Sequence, residues 1–265
     1  MNKKKPLVTW VVIGICLLIN LLIVFSSLEN KTEAAILYGA YYKPFILAGE
    51  WWRFLSVGFV HVSYLHLFVN CYSCLVLGQV LEKRMGKRNY LLVLLISVIG
   101  GSLFLFAAED NTVAVGLSGG LYGLMAAYTF FVIQMGGWNH PQIRSSLIRA
   151  YMVNIFINFM PNISVSAHLG GYVCGLLATM LLYGTKQRRK HYILATVLFL
   201  FFTGITAYRN TAIPADQEYY GSDARILGKI KKIGLESYAY HIAERLDTIY
   251  HEEGKVTYLL QLEDK

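Results

Sequence analysis

Long apolar stretches broken by short polar ones fill the first 208 residues of the chain, and the pattern changes beyond them. The hydrocarbon core of a bilayer asks for about 20 mostly apolar residues per helix. Seven runs meet that demand, 7–25, 54–81, 90–107, 113–135, 147–161, 164–183 and 192–208, and each is predicted to be a transmembrane helix. The fifth is short, and the second carries His61, His66 and Asn70, so hydropathy alone would pass over it. The third, plain apart from Gly100 and Gly101, reads as lipid-facing scaffold. Between the first two runs lies a long semi-apolar loop, 26–52, with Tyr38, Tyr41, Tyr42, Phe45, Trp51 and Trp52 in it. Aromatics of this kind favour the headgroup level, so part of the loop is expected in the interface, with Arg53 turned to headgroups or back into the loop. After residue 208, Ile226, Ile230, Ile233, Tyr240, Ala243, Leu246, Ile249 and Tyr250 follow helical spacing, with Gly234 and Gly254 as stops. A short helical hairpin outside the membrane is expected there. The predicted architecture is an all-α polytopic membrane domain, 1–208, followed by a helical tail, 209–265.

Composition agrees: 265 residues that are 55% hydrophobic and 15% charged are too apolar for a soluble domain. The first run follows Lys3, Lys4 and Lys5 as a signal peptide would, but it is long and no convincing small-x-small cleavage site follows, so it reads as a retained helix. Lys and Arg in short loops set orientation. With the N-terminus inside, the cytoplasmic side collects thirteen basic residues: Lys3, Lys4, Lys5, Lys83, Arg84, Lys87, Arg88, Arg144, Arg149, Lys186, Arg188, Arg189 and Lys190. The other side, up to residue 208, has three, Lys31, Lys43 and Arg53. The tail then lies outside a cell membrane, expected to be a bacterial plasma membrane. The net charge of +8 is therefore a topology signal; the tail holds 8 basic and 10 acidic residues, and no basic stripe suggests a nucleic-acid face. Cys16, Cys71, Cys74 and Cys174 all fall within the runs and argue for neither a disulfide framework nor a zinc ribbon.

Polar groups inside apolar runs are costly, and they are either functional or hydrogen-bond partners between helices. The fourth run holds Ser118 among Gly116, Gly119, Gly120 and Gly123; such small residues equally suit close packing of two helices. In the second run His66 and Asn70 are four apart and share a helix face, with His61 nearer the outer end. In the sixth, His168, Gly171 and Gly175 are spaced three and four apart, so one face carries an imidazole with two glycines beneath it. Ser118, Tyr122 and Ala126 offer a matching face on the fourth run. Both runs start from the outer side, which sets Ser118 and His168 at similar depth.

A serine is a poor nucleophile without a base within about 2.6–3.2 Å, and His168 can be that base. The attack builds an oxyanion that needs preorganised donors in a dry site; His66, the Asn70 amide and the Ser118 backbone N–H are available. No carboxylate lies in the seven runs, since Glu82 is cytoplasmic and Glu109 and Asp110 sit in an outer loop, so a Ser-His dyad is favoured over a triad.

These residues resemble the rhomboid intramembrane serine proteases over roughly residues 50–183. The resemblance rests on Glu50-Trp51-Trp52-Arg53, on His61, His66 and Asn70, on Gly116-Leu117-Ser118-Gly119 with Tyr122, and on His168 with Gly171 and Gly175. Each motif alone is weak; together, in this order and on these runs, they are specific. The resemblance implies a six-helix core with Ser118 as nucleophile and His168 as base, His66 and Asn70 in the oxyanion hole, and Tyr122 packed on the catalytic imidazole. It also implies cleavage of single-pass membrane proteins in or beside their transmembrane segment, without metal or cofactor, and it makes the seventh run the extra C-terminal helix of six-plus-one members. The alternative is a rhomboid-like pseudoprotease or adaptor that binds membrane proteins without cutting them; such relatives typically lack the serine or the histidine. A membrane metalloprotease would want H-E-x-x-H, which is absent from the sequence. An aspartyl protease would want two aspartates in the runs, and a transporter would leave the Ser-His-Asn set unexplained. The tail is expected to be dispensable for chemistry and to serve, if at all, in binding a protein partner.

Overall fold

A computed structural model describes residues 5–263 apart from Ser27, Glu29, Asn111 and 214–218; of the basic residues used for orientation, Lys3 and Lys4 lie outside the described residues. Seven long helices correspond to the seven apolar runs: α1 (Leu7–Val24), α5 (Tyr64–Met85), α6 (Lys87–Ala108), α7 (Ser118–Gln134), α8 (Pro141–Asn158), α9 (Val165–Tyr183) and α10 (Arg189–Arg209). Between α1 and α5 come three short helices, α2 (Lys31–Leu37), α3 (Lys43–Leu47) and α4 (Arg53–Ser56); the tail forms α11 (Tyr220–Lys232), α12 (Glu236–Ile249) and α13 (Lys255–Leu262). Five of the long helices, α1, α5, α6, α9 and α10, are long and apolar enough to cross a membrane. α7 has 17 residues, and α8 opens on the polar stretch Pro141 to Arg149, so those two depend on their neighbours for their place. The protein is an all-α polytopic membrane protein.

Helix packing follows from where each run is small, polar or uniformly apolar. α1 buries Thr9, Val12, Ile13, Cys16, Asn20 and Ile23, a stripe at helical spacing, and leaves its other apolar side chains facing outward. Its opening N–H groups, which have no helical partner, meet a carboxylate: Glu82 accepts from Val8 N–H at 3.0 Å and from Thr9 N–H at 2.9 Å. Glu82 is therefore not a free cytoplasmic residue. It is buried in the last turn of α5, where its charge suits a helix N-terminus. α6 corrects the reading of the third run as scaffold facing lipid. Eleven of its residues are buried, and it packs against both α7 and α9. The reason is its small residues: a Cβ on Gly100 would stand 2.3 Å from Cys174 Sγ, and one on Gly101 2.6 Å from the Ala167 carbonyl. α10, by contrast, buries no residue and lies against α6 and α9 from outside.

The second and fourth runs are shorter as helices than the apolar pattern predicts. Residues 54–63 form α4, a 3₁₀ turn (Val57–Phe59) and an extended stretch, so His61 precedes α5 and Ser63 caps it. Residues 113–114 are extended and pair antiparallel with Tyr41 and Tyr42, Tyr41 opposite Ala114. This two-residue ladder ties the outer loop to the approach to Ser118.

The tail makes three helices where a hairpin was expected, because Gly254, at φ 71°, opens α13 and does not simply end α12. Nor does the tail stand apart. Ile226, Ile230, Ala239, Ile242, Leu246, Val256 and Leu260 share one core with Ala34, Ala35, Ile36, Ala40, Tyr42, Phe45 and Ala48 of the outer loop. Arg225 pairs with buried Glu33, Ser222 Oγ donates to it at 2.6 Å, and Tyr238 Oη donates to Glu50, the partner of Arg53.

Candidate active site

Ser118 is the first residue of α7, which begins directly after a turn at Gly116 and Leu117. Gly116 has φ 118°, a backbone region costly for any other residue, and its N–H donates to Val57 O at 3.0 Å. A Cβ there would stand 2.7 Å from His66 Nε2 and 3.2 Å from Asn70 Nδ2, so the turn brings the Ser118 end of α7 against the two polar side chains of α5. His61, buried before α5, accepts from Asn70 Nδ2 at Nε2, 2.9 Å away, and meets the His66 ring edge-on at 5.1 Å. Leu117 N–H reaches the same His61 nitrogen at 3.5 Å, and Asn20 Nδ2 of α1 donates to the His61 carbonyl at 2.8 Å. His61 thus holds Asn70 and the turn before Ser118 in one frame.

The opposite wall is α9, capped by the Ser164 hydroxyl on Ala167 N–H at 3.2 Å. It carries His168, 5% exposed, with Nε2 2.8 Å from the half-buried Ser118 Oγ. Close approach of backbones makes this distance reachable: a Cβ on Gly171 would stand 2.1 Å from Gly119 O, and one on Gly175 2.4 Å from Gly123 Cα. Beneath Ser118 and His168 the seam sets Gly119 and Gly123 against Gly171 and Gly175, beside the Ser118 and Tyr122 face that meets the imidazole. Tyr122 stacks on the His168 ring, centroids 4.1 Å apart and planes 13° apart.

Trp52 and Arg53 lie elsewhere. Arg53, 1% exposed, pairs with Glu50, donates to Ile36 O at 2.7 Å and Ala40 O at 2.8 Å, and sits under the Trp52 ring. It points back into the outer loop and organises that loop. The sequence reading missed Asn158 at the end of α8. Its Oδ1 is 2.6 Å from His168 Nδ1 and its Nδ2 donates to Tyr122 Oη at 2.9 Å. Asn154 and Asn158, four apart in an apolar run, were the available signal.

This frame of apolar helices around a serine and a histidine defines a multi-pass membrane protein with hydrolase-like side chains. A family model described as "Rhomboid domain" matches residues 48–185. The putative rhomboid protease YdcA of Bacillus subtilis is 34% identical over 145 residues, which are 53% of this chain and 72% of that protein. The rhomboid protease GluP of the same organism is 28% identical over 67% of this chain but 35% of its own length, and the rhomboid protease AarA of Providencia stuartii is 26% identical over 65% and 70%. The chain belongs to the rhomboid family.

Proposed function

We propose that this protein is an intramembrane serine endopeptidase that cuts transmembrane segments of single-pass membrane proteins. The observation that carries the reading is the 2.8 Å hydrogen bond between Ser118 Oγ and His168 Nε2, in a chain whose relatives are named proteases. Ser118 Oγ attacks the scissile carbonyl while Nε2 takes its proton; the same proton then goes to the leaving amine, and water repeats the cycle on the acyl-enzyme. The developing oxyanion meets His66, Asn70 and the Ser118 N–H, which as the first of α7 has no helical carbonyl to bond. The N-terminus is cytoplasmic, by the excess of Lys and Arg at the Lys87 and Lys186 end, and Ser118 and His168, in the first turns of α7 and α9, then lie toward the outer side.

The test uses full-length protein in detergent with a fluorogenic transmembrane substrate and a fluorophosphonate label. Ser118→Ala and His168→Ala should each abolish cleavage and labelling while the protein stays folded, with the double variant no worse than either single, because members of one catalytic unit are non-additive. Cleavage retained by Ser118→Ala would defeat the proposal. A binding-only protein would hold the substrate with neither cut nor label.

A further inference from the structure

The hydroxyl of Tyr122, the amide of Asn158 and the two ring nitrogens of His168 form a chain whose proton positions can be worked out from one fixed end. Tyr122 Oη donates its only proton to the backbone carbonyl of Asn154, 3.2 Å away. A carbonyl only accepts, so the lone pairs of Tyr122 Oη are left to receive the Asn158 Nδ2–H, 2.9 Å away. That orients the amide and turns Oδ1, an acceptor, to His168 Nδ1 at 2.6 Å. Nδ1 of a neutral imidazole facing an acceptor must carry the proton, which leaves the lone pair on Nε2, the nitrogen facing Ser118 Oγ at 2.8 Å. Tyr122 also lies flat on the same ring, so one residue fixes the plane of the imidazole and, through the amide, its tautomer.

We propose that Asn158 is a positioning residue for the base: it selects the His168 tautomer that can accept the Ser118 proton and stabilises the imidazolium formed when it does. It occupies the place where a carboxylate would complete a triad, and supplies the acceptor without a second buried charge, which in an apolar membrane interior would be expensive. The inference rests on the protease reading above.

The experiment measures kcat, KM and the fluorophosphonate labelling rate of full-length wild type, Asn158→Leu, Asn158→Asp and Tyr122→Phe, with the pH dependence of kcat. Asn158→Leu should lower kcat at least about tenfold with KM little changed, since a positioned base contributes roughly 10²–10⁴-fold, and labelling should slow in parallel. Asn158→Asp should recover much of that rate and move the acid limb of the profile to higher pH, because a carboxylate at Nδ1 binds the imidazole proton more tightly. Tyr122→Phe, which keeps the stacked ring but frees the amide to turn, should fall between wild type and Asn158→Leu. A folded Asn158→Leu with wild-type kcat and labelling overturns the inference, as does an Asn158→Asp impaired like Asn158→Leu with an unmoved limb. If Asn158→Leu does not fold, the limb in Asn158→Asp and the rate of Tyr122→Phe decide the matter in the same way. A wild type that neither cuts nor labels defeats the protease reading itself, and this inference with it.

Discussion

The seam between α7 and α9 and the unit made by the outer loop with α11–α13 are held together by opposite means. In the seam, backbone meets backbone: Gly171 against Gly119 and Gly175 against Gly123, with Ser97 of α6 packed against the lower pair. Inside a bilayer there is no hydrophobic gain from joining two helices, so close van der Waals packing and hydrogen bonds must do it, and small residues make both available. The outer unit is built like a small water-soluble core. Ile226, Leu227, Ile242 and Leu246 bury against Ala35, Ile36 and Phe45, and charged pairs such as Glu33 with Arg225 close the rim. The seam tolerates almost no added atom, whereas the outer unit has side chains that can shift. The difference places the sensitivity to mutation at the dyad and the sensitivity to solution conditions at the tail.

Adding one methyl group to the seam should break this comparison most sharply. Gly171→Ala puts a Cβ 2.1 Å from Gly119 O, a distance real atoms do not occupy. We expect loss of cleavage together with a lower melting temperature in detergent. A Gly171→Ala protein with wild-type activity and melting would show that the two helices can part without consequence.

Smaller in effect are the donors opposite the seam. Asn70→Ala and His66→Ala are each expected to lower kcat by about 10²–10³, the usual loss for one oxyanion donor, while melting changes less than in Gly171→Ala. Since His61 and Gly116 hold both side chains from one side, full rate in both variants would reduce this wall to packing.

The outer unit should give the mildest effects, and they should depend on pH. Burial pushes the Asp223 carboxyl up to about 7, against a hydrogen bond from Tyr250 that lowers it. Its ordinary value is 3.8, so the folded form holds the proton longer than the unfolded one. Its contribution is full below about pH 4 and is lost as pH rises through about 7. Glu33 runs the other way. Burial raises it, but hydrogen bonds from Arg225 and Ser222 outweigh that and hold it below its ordinary 4.5, so its contribution is present above that pH and lost on acidification. Protease resistance of the outer unit should therefore peak at mildly acidic pH, and Asp223→Asn should flatten the fall toward alkaline pH. An unchanged alkaline fall in Asp223→Asn would remove Asp223 as its source.

Deleting residues 210–265 should leave turnover of a minimal transmembrane substrate in place, because Ser118, His168, His66 and Asn70 belong to α5, α7 and α9. It should also lower thermal stability, because it uncovers Ala34, Ala35, Ile36 and Phe45. A stable truncated protein that cannot cut would show that the outer unit completes the site, through the ladder between Tyr41–Tyr42 and Val113–Ala114.

What could be read from the sequence is what depends on near neighbours. Seven apolar runs give seven long helices, because hydropathy over a bilayer-length window is a local property. Ser118, His66, Asn70 and His168 stand out as polar groups where polarity is costly, and helical spacing puts His168 above Gly171 and Gly175. The helix ends were misread at 54–63 and 113–117, where apolar residues continue but the backbone turns to make the His61 stretch and the ladder with Tyr41 and Tyr42. Hydropathy does not distinguish lipid from a neighbouring helix, so the burial of α6 was invisible too. The tertiary structure alone decided which partners meet across long separations. Arg225 reaches back 192 residues to Glu33, and Asn158 accepts at His168 only because α8 ends beside α7 and α9. Such contacts are selected by three-dimensional closeness after the helices pack, and no periodicity within a run encodes them.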